Sequence, residues 1–140
     1  WPHTYNMPAK LTSAGRSCAY GRLPSGAGYV YLRYVDAAVE TSLAAALAAH
    51  ADAKGWIIDL RGNGGGGYDE KLQNVLKTLP KPVAVLIDEG CVSAGETLAR
   101  DLVNFAGARL FGSTPQCGSK SSGARWNSKT RLSRPARAES

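Results

Sequence analysis

The sequence predicts an α/β fold in which a largely parallel sheet is covered by helices. Two observations carry this. Apolar runs of strand length alternate with segments of helical periodicity, and glycine or proline punctuates each change. Strands that alternate with helices are joined by crossovers, and crossovers make neighbouring strands parallel. At 140 residues there is room for one domain with a hydrophobic core, and a 44% hydrophobic fraction is ordinary for a globular chain.

The elements follow in order. Residues 1–27 are rich in Pro, Gly and Ser and read as an irregular N-terminal arm, with room for a short strand at Ser17 to Leu23. Gly28 to Tyr34 alternates as a strand does. Glu40 to Ala53 is rich in Ala and Leu and reads as a helix stopping at Gly55. Trp56 to Leu60 is an apolar strand. Tyr68 to Leu79 reads as a helix with Leu72, Val75, Leu76 and Leu79 on one side, ended by Pro80-Lys-Pro82. A strand over 82–88, a helix over 93–106 and a strand over 108–112 come next, and 124–133 reads as a last strand. No internal repeat is visible.

Chemistry concentrates in two stretches. The first is Asp88-Glu-Gly-Cys-Val-Ser-Ala-Gly-Glu96, where a strand ends in a glycine turn and Ser93 opens a helix. A hydroxyl there faces the positive end of a helix and its unpaired N–H groups, a setting suited to a nucleophile whose attack creates an oxyanion. Ser93 and Glu96 also have the spacing of a capping box, so a purely structural role stands beside the catalytic one. The second stretch is Trp56-Ile-Ile-Asp-Leu-Arg-Gly-Asn-Gly-Gly-Gly-Gly67. Four consecutive glycines are costly to order, so either the loop is simply flexible or its backbone must approach something closely. No Lys-Ser/Thr pair follows them, which removes the Walker phosphate loop. A dinucleotide fingerprint can be laid over Gly62, Gly64 and Gly67, but a glycine run makes that match cheap. Asp69 and Glu70 read as first-turn helix charges, not as an acid-base pair.

The two stretches, with Gly28-Tyr-Val-Tyr-Leu-Arg33 before them and Ala108-Arg-Leu-Phe-Gly-Ser-Thr114 after, resemble the catalytic core of the tail-specific, or C-terminal processing, serine peptidases. That family includes the tricorn core protease and the retinoid-binding repeats of photoreceptor matrix. The resemblance covers roughly residues 28–126 and rests on four pieces in order, none diagnostic alone. It implies a crotonase-like (ClpP-like) spiral of ββα units. It also divides the chain into an arm (1–27), a peptidase core (28–126) and a basic C-terminal tail (127–140). By the same resemblance the nucleophile maps onto Ser93, and the oxyanion donors map onto the N–H groups of Ala94 and a loop glycine, Gly65. Two departures stand out. Cys91 occupies a position where many members have Thr, and the family's Gly-Lys-Gly turn is replaced by Gly112-Ser-Thr-Pro-Gln-Cys-Gly-Ser-Lys120. Lys120 is the candidate general base, and such a base needs a lowered pKa. A plain surface lysine is the alternative. The tricorn-like branch makes His3 a second candidate.

The resemblance therefore implies a serine hydrolase acting on peptide or protein substrates without a cofactor or metal. Esterase action on small acyl esters and a non-catalytic ligand-binding domain on the same scaffold remain open. A peptide-binding PDZ domain does not fit in this length, so recognition of substrate C-termini has no support here. Beginning at Trp1 suggests a processed chain or a fragment, with the missing parts upstream. Much of the net charge of +6 lies in the last sixteen residues, at Arg125, Lys129, Arg131, Arg134 and Arg137, away from any aromatic-interleaved strip, so nucleic acid is not the expected partner. No stretch has the apolar length of a membrane span. The oligomeric state is open. Three cysteines close no framework. In the family fold the loops carrying Cys91 and Cys117 are neighbours, so the resemblance leaves room for a disulfide between them and for an extracytoplasmic (periplasmic or secreted) location. Cys91 as nucleophile is the sharper rival to Ser93. His50, in the Ala-rich helix, has no neighbours at ligand spacing and reads as a packing residue, and two scattered histidines argue against zinc.

Overall fold

The computed structural model describes residues 7–8, 10–113 and, as backbone, 132–133. Strands β1 (Thr12–Ala14), β2 (Cys18–Arg22), β3 (Gly28–Leu32), β4 (Trp56–Asp59), β5 (Val83–Ile87), β6 (Arg109–Gly112) and β7 (Leu132–Ser133) form one sheet. Helices α1 (Val39–Ala49), α2 (Leu72–Leu76) and α3 (Ala94–Ala106) connect the parallel ones. The spatial order equals the chain order, with β1, β2 and β3 antiparallel and β3 through β7 parallel.

That order has a consequence. Right-handed crossovers that always advance to the next edge place their helices on the same face of the sheet. Accordingly α1 packs on α2 and α2 on α3. Among these strands there is no reversal of order, the switch point at which doubly wound sheets bind dinucleotides. The core lies between sheet and helices. Val30, Leu32, Ile58, Leu60, Val85, Ile87 and Leu110 meet Leu43, Leu76, Leu98 and Leu102, and each of these is no more than 1% exposed. The opposite face of β3 and β4 is polar but also buried. There Asp59 takes Arg61 Nε at 2.9 Å and Nη2 at 2.7 Å, and accepts from the Tyr29 hydroxyl. Burial and this carboxylate push the Tyr29 phenol well above its ordinary range.

Several elements differ from expectation. α1 ends at Ala49, four residues earlier than its composition suggests, because the chain turns through His50 (Ala53 N–H to His50 O, 3.0 Å) toward Gly55 at φ 146°. α2 is reduced to Leu72–Leu76. Its flanks are turns of i to i+3 type, with Leu72 N–H on Asp69 O at 3.0 Å and Thr78 N–H on Val75 O at 2.9 Å. The Asp69 side chain holds Lys71 N–H at 2.9 Å, and Tyr68 is drawn off to Asp101, so neither residue joins the helix. The short strand within 17–23 is β2, and β1 pairs outside it. α3 ends at Gly107 in the left-handed region (φ 64°), and Ala108 N–H closes on Leu102 O at 3.1 Å. His50 packs its ring edge-on to Tyr20 at 6.0 Å.

Gly28 starts β3 against the Trp56 ring. A Cβ there would sit 2.5 Å from the indole carbons. Gly28→Ala should therefore lower stability by about 1–3 kcal/mol through overpacking. Urea unfolding would read this as a lower midpoint with an unchanged slope.

Candidate active site

Ser93 sits between β5 and α3 with φ 54° and ψ −123°. It is the only non-glycine residue at positive φ among the described residues. Such a conformation costs roughly 1–3 kcal/mol and persists only where the surroundings impose it. The same sharp strand-to-helix turn is what exposes the serine of a nucleophile elbow. Ser93 is indeed exposed, while Cys91, Ala94, Gly95 and Glu96 around it are buried.

Glu96 imposes part of this geometry. Fully buried, it accepts Ser93 N–H on Oε2 at 3.1 Å. Its own N–H reaches the Ser93 carbonyl oxygen at 2.9 Å. Ser93 and Glu96 thus form a capping box, with the Ser93 side chain set toward the Glu96 N–H and the Glu96 side chain on the Ser93 N–H. Glu96 Oε1 has no hydrogen-bond partner among the described residues.

The glycine loop is fastened to this turn. Gly62 N–H and Gly90 N–H share Asp88 Oδ1 at 2.8 and 3.0 Å. Val92 N–H donates to Asn63 O at 3.0 Å. The Asn63 side chain, 0% exposed, donates from Nδ2 to Leu32 O and accepts Gly65 N–H on Oδ1, both at 2.9 Å. Gly95 has to be glycine here, since a Cβ would fall 2.7 Å from Asn63 Oδ1. Gly65 has to be glycine as well. Its φ is +85°, and a Cβ would lie 2.9 Å from Ser93 Cβ and 3.3 Å from Ala94 N.

The expected oxyanion donors divide. Ala94 N–H makes no hydrogen bond among the described residues, as suits an orphan donor at a helix start. The Gly65 N–H corrects expectation, because Asn63 Oδ1 already holds it. Of the four glycines, Gly64 donates to Arg33 O at 3.1 Å and Gly67 to Val35 O at 2.9 Å. Gly66 is left as the loop N–H without a partner among the described residues.

Cys91 does not compete with Ser93. It is 0% exposed and its thiol is free, pushed up to about 12 by burial and, secondarily, by Glu96 and Asp88. At neutral pH almost none of it is thiolate, the nucleophilic form. Lys120, His3 and Cys117 lie outside the described residues. Sequence reasoning missed Asn63 and Asp88 as residues with a role. A polar side chain between a β-run and a glycine run was the available signal, since a buried amide there must find backbone partners.

Beside Gly65 opens a cleft of about 730 Å³, lined by Arg16, Ser17, Arg33, Tyr34, Val35 and Asp36 together with Gly65, Gly66 and Gly67. Among the described residues no three His, Cys, Asp or Glu side chains gather as metal ligands, and no helix is long and apolar enough to cross a membrane.

Comparisons with known proteins bear on this arrangement. A family model described as peptidase family S41 matches residues 26–81, which run from β3 through the glycine loop to the approach of β5. The fold resembles that of "a putative peptidase from Parabacteroides merdae ATCC 43184", with TM-score 0.60 and 20% identity over 74% of this chain and 44% of that one. It also resembles the photosystem II D1 C-terminal processing protease, with TM-score 0.50 and 22% identity over 66% of this chain and 33% of that one. At such identities the two structures speak for the fold alone, and this chain spans less than half the length of either. No match is found among curated proteins.

Asn63→Ala would leave Leu32 O and Gly65 N–H unpaired in a dry interior. A loss of about 1–3 kcal/mol for each unsatisfied group is expected, measured as a lowered urea midpoint. Loosening of the loop should appear as faster amide hydrogen exchange at Gly65 and Val92.

Proposed function

We propose that the chain carries the core of a serine peptidase, with Ser93 as nucleophile. The observation that carries this reading is the strained, exposed Ser93 at the start of α3, with Gly65 against its Cβ and the Ala94 N–H unpaired. A cap alone does not call for a positive φ, whereas an exposed nucleophile does. The S41 match supports peptide bonds as the target.

In this mechanism Ser93 Oγ attacks the scissile carbonyl carbon and passes its proton to the neutral amine of Lys120. Ala94 N–H and a glycine-loop N–H hold the oxyanion, and Gly66 is the loop donor that needs no bond broken. The intermediate collapses, the departing amine takes the proton, and water then releases the acyl group from Ser93 by the reverse path. Lys120 is assigned by resemblance, as the first lysine that follows β6 in the sequence. The sequential sheet supports continuation as the crotonase-like spiral, with 28–126 as core, 1–27 as arm and 127–140 as tail. We place the protein outside the cytoplasm, periplasmic or secreted, by likeness to processing proteases.

Two tests follow. A serine-directed fluorophosphonate should modify Ser93 and leave Cys91 untouched, as read by mapping of the labelled peptide. Ser93→Ala should abolish both labelling and turnover at unchanged ellipticity, and a stoichiometric label on any other residue would sink the assignment.

Because the lysine must be neutral to accept a proton, kcat/KM should rise with pH to a plateau. Lys120→Ala should cost about 10²-fold or more, while Lys129→Ala should leave the rate near wild type. Equal, near-wild-type rates in both variants would move the base elsewhere.

A further inference from the structure

The cleft beside the glycine loop has a charge pattern that peptide hydrolysis as such does not require. Arg16 and Arg33 both line it, both are exposed, and neither forms an ion pair among the described residues. Arg33 lies over the Tyr34 ring at 5.3 Å from its centroid, which restrains a side chain that would otherwise lose rotamer entropy on binding. The carboxylate in the same cleft, Asp36, is already engaged. Its Oδ2 accepts the Ser17 hydroxyl, and its Oδ1 accepts Ala38 N–H at 3.0 Å. The remaining wall is bare backbone. A Cβ built on Gly67 would meet nothing within 4 Å, so an extended chain can approach the loop closely there.

We propose that this cleft is a subsite for a carboxylate of the bound peptide, gripped by Arg33 and Arg16, so that the enzyme prefers substrates bearing a negative charge close to the scissile bond. The inference rests on the peptidase reading above. A planar guanidinium matches a carboxylate in two parallel hydrogen bonds, and two such groups without an ion-pair partner among the described residues favour an anion over a neutral or cationic residue. Proximity follows from Gly65, which both lines the cleft and abuts Ser93 Cβ. The carboxylate has two sources, a chain terminus or an acidic side chain, and the geometry of recognition is common to both.

The test separates binding from cleavage. Ser93→Ala protein is titrated by fluorescence anisotropy with short labelled peptides of one apolar sequence. One ends in a free carboxylate, one in an amide, and two further amides carry an internal Glu or Gln. A carboxylate-bearing peptide should bind roughly threefold or more tighter than its neutral match, and the gap should narrow with added salt. A gap between acid and amide names the terminus, and a gap between Glu and Gln names the side chain. Arg33→Gln and Arg16→Gln should each reduce the gap, while Arg33→Lys keeps part of it. Equal affinity for all four peptides, no binding of any, or a gap indifferent to both arginines overturns the subsite. Wild-type cleavage of the same set tells the two failures apart. Cleavage without charge preference removes the subsite and leaves the peptidase, whereas selective binding without cleavage does the reverse.

Discussion

Everything near Ser93 depends on one buried side chain, Asn63. Its amide holds the end of β3 through Leu32 O and the glycine loop through Gly65 N–H, while its own carbonyl takes Val92 N–H from the turn before α3. Three segments distant in sequence therefore meet at one residue that water does not reach. Hydrogen bonds of this kind contribute modestly when made and cost much more when broken in a dry interior. Asp88 adds a second fastening by holding Gly62 and Gly90 from one oxygen. The glycine loop is consequently a positioned surface and not a slack one, which is the stronger of the two explanations open for four glycines in a row.

The strain at Ser93 is sustained by what lies beneath it. Glu96, Cys91 and Asn63 are all fully buried, and Glu96 fixes the Ser93 N–H from below. Gly95 and Gly65 let the neighbouring backbones close in on Asn63 and on Ser93 respectively. A rigid, dry underside and an exposed hydroxyl form the arrangement in which an oxyanion donor is worth most, since the donor need not reorganise when charge develops. The burial that holds this underside together also silences the Cys91 thiol. The same packing leaves Ser93 exposed and Cys91, two residues away, out of reach of solvent.

Much of this was legible in the sequence, and the exceptions have physical causes. β3 to β6 announced themselves because buried parallel strands are nearly continuous apolar runs. β1 did not, because Thr12–Ala14 is short and mostly exposed, with nothing to hide. α2 was overestimated because its apolar spacing continues through turns that Asp69 and Tyr68 pull out of register. At the candidate site, the strand-to-helix change placed Ser93 and Ala94 at the start of a helix, where α3 begins. The assignment of Gly65 went astray on one point: a pattern shows which residues lack side chains, but not which N–H a neighbouring amide has already claimed. Asn63 makes that choice in three dimensions, through a contact two residues along the chain combined with others across the sheet.

The cap and the nucleophile are rival readings of Ser93 in the sequence, and the geometry of the first turn of α3 bears on both. A helix start leaves orphan N–H groups, and a capping serine would ordinarily spend its hydroxyl on one of them. The Ser93 carbonyl serves Glu96 N–H at 2.9 Å and Thr97 N–H at 3.2 Å, the Ser93 side chain also faces the Glu96 N–H, and the Glu96 carboxylate serves Ser93 N–H. The first turn is therefore satisfied by backbone and by Glu96, while Ala94 N–H stays open at the positive end of the helix. Ser93 itself is exposed, and the Ala94 N–H at the positive end of the helix has no partner among the described residues.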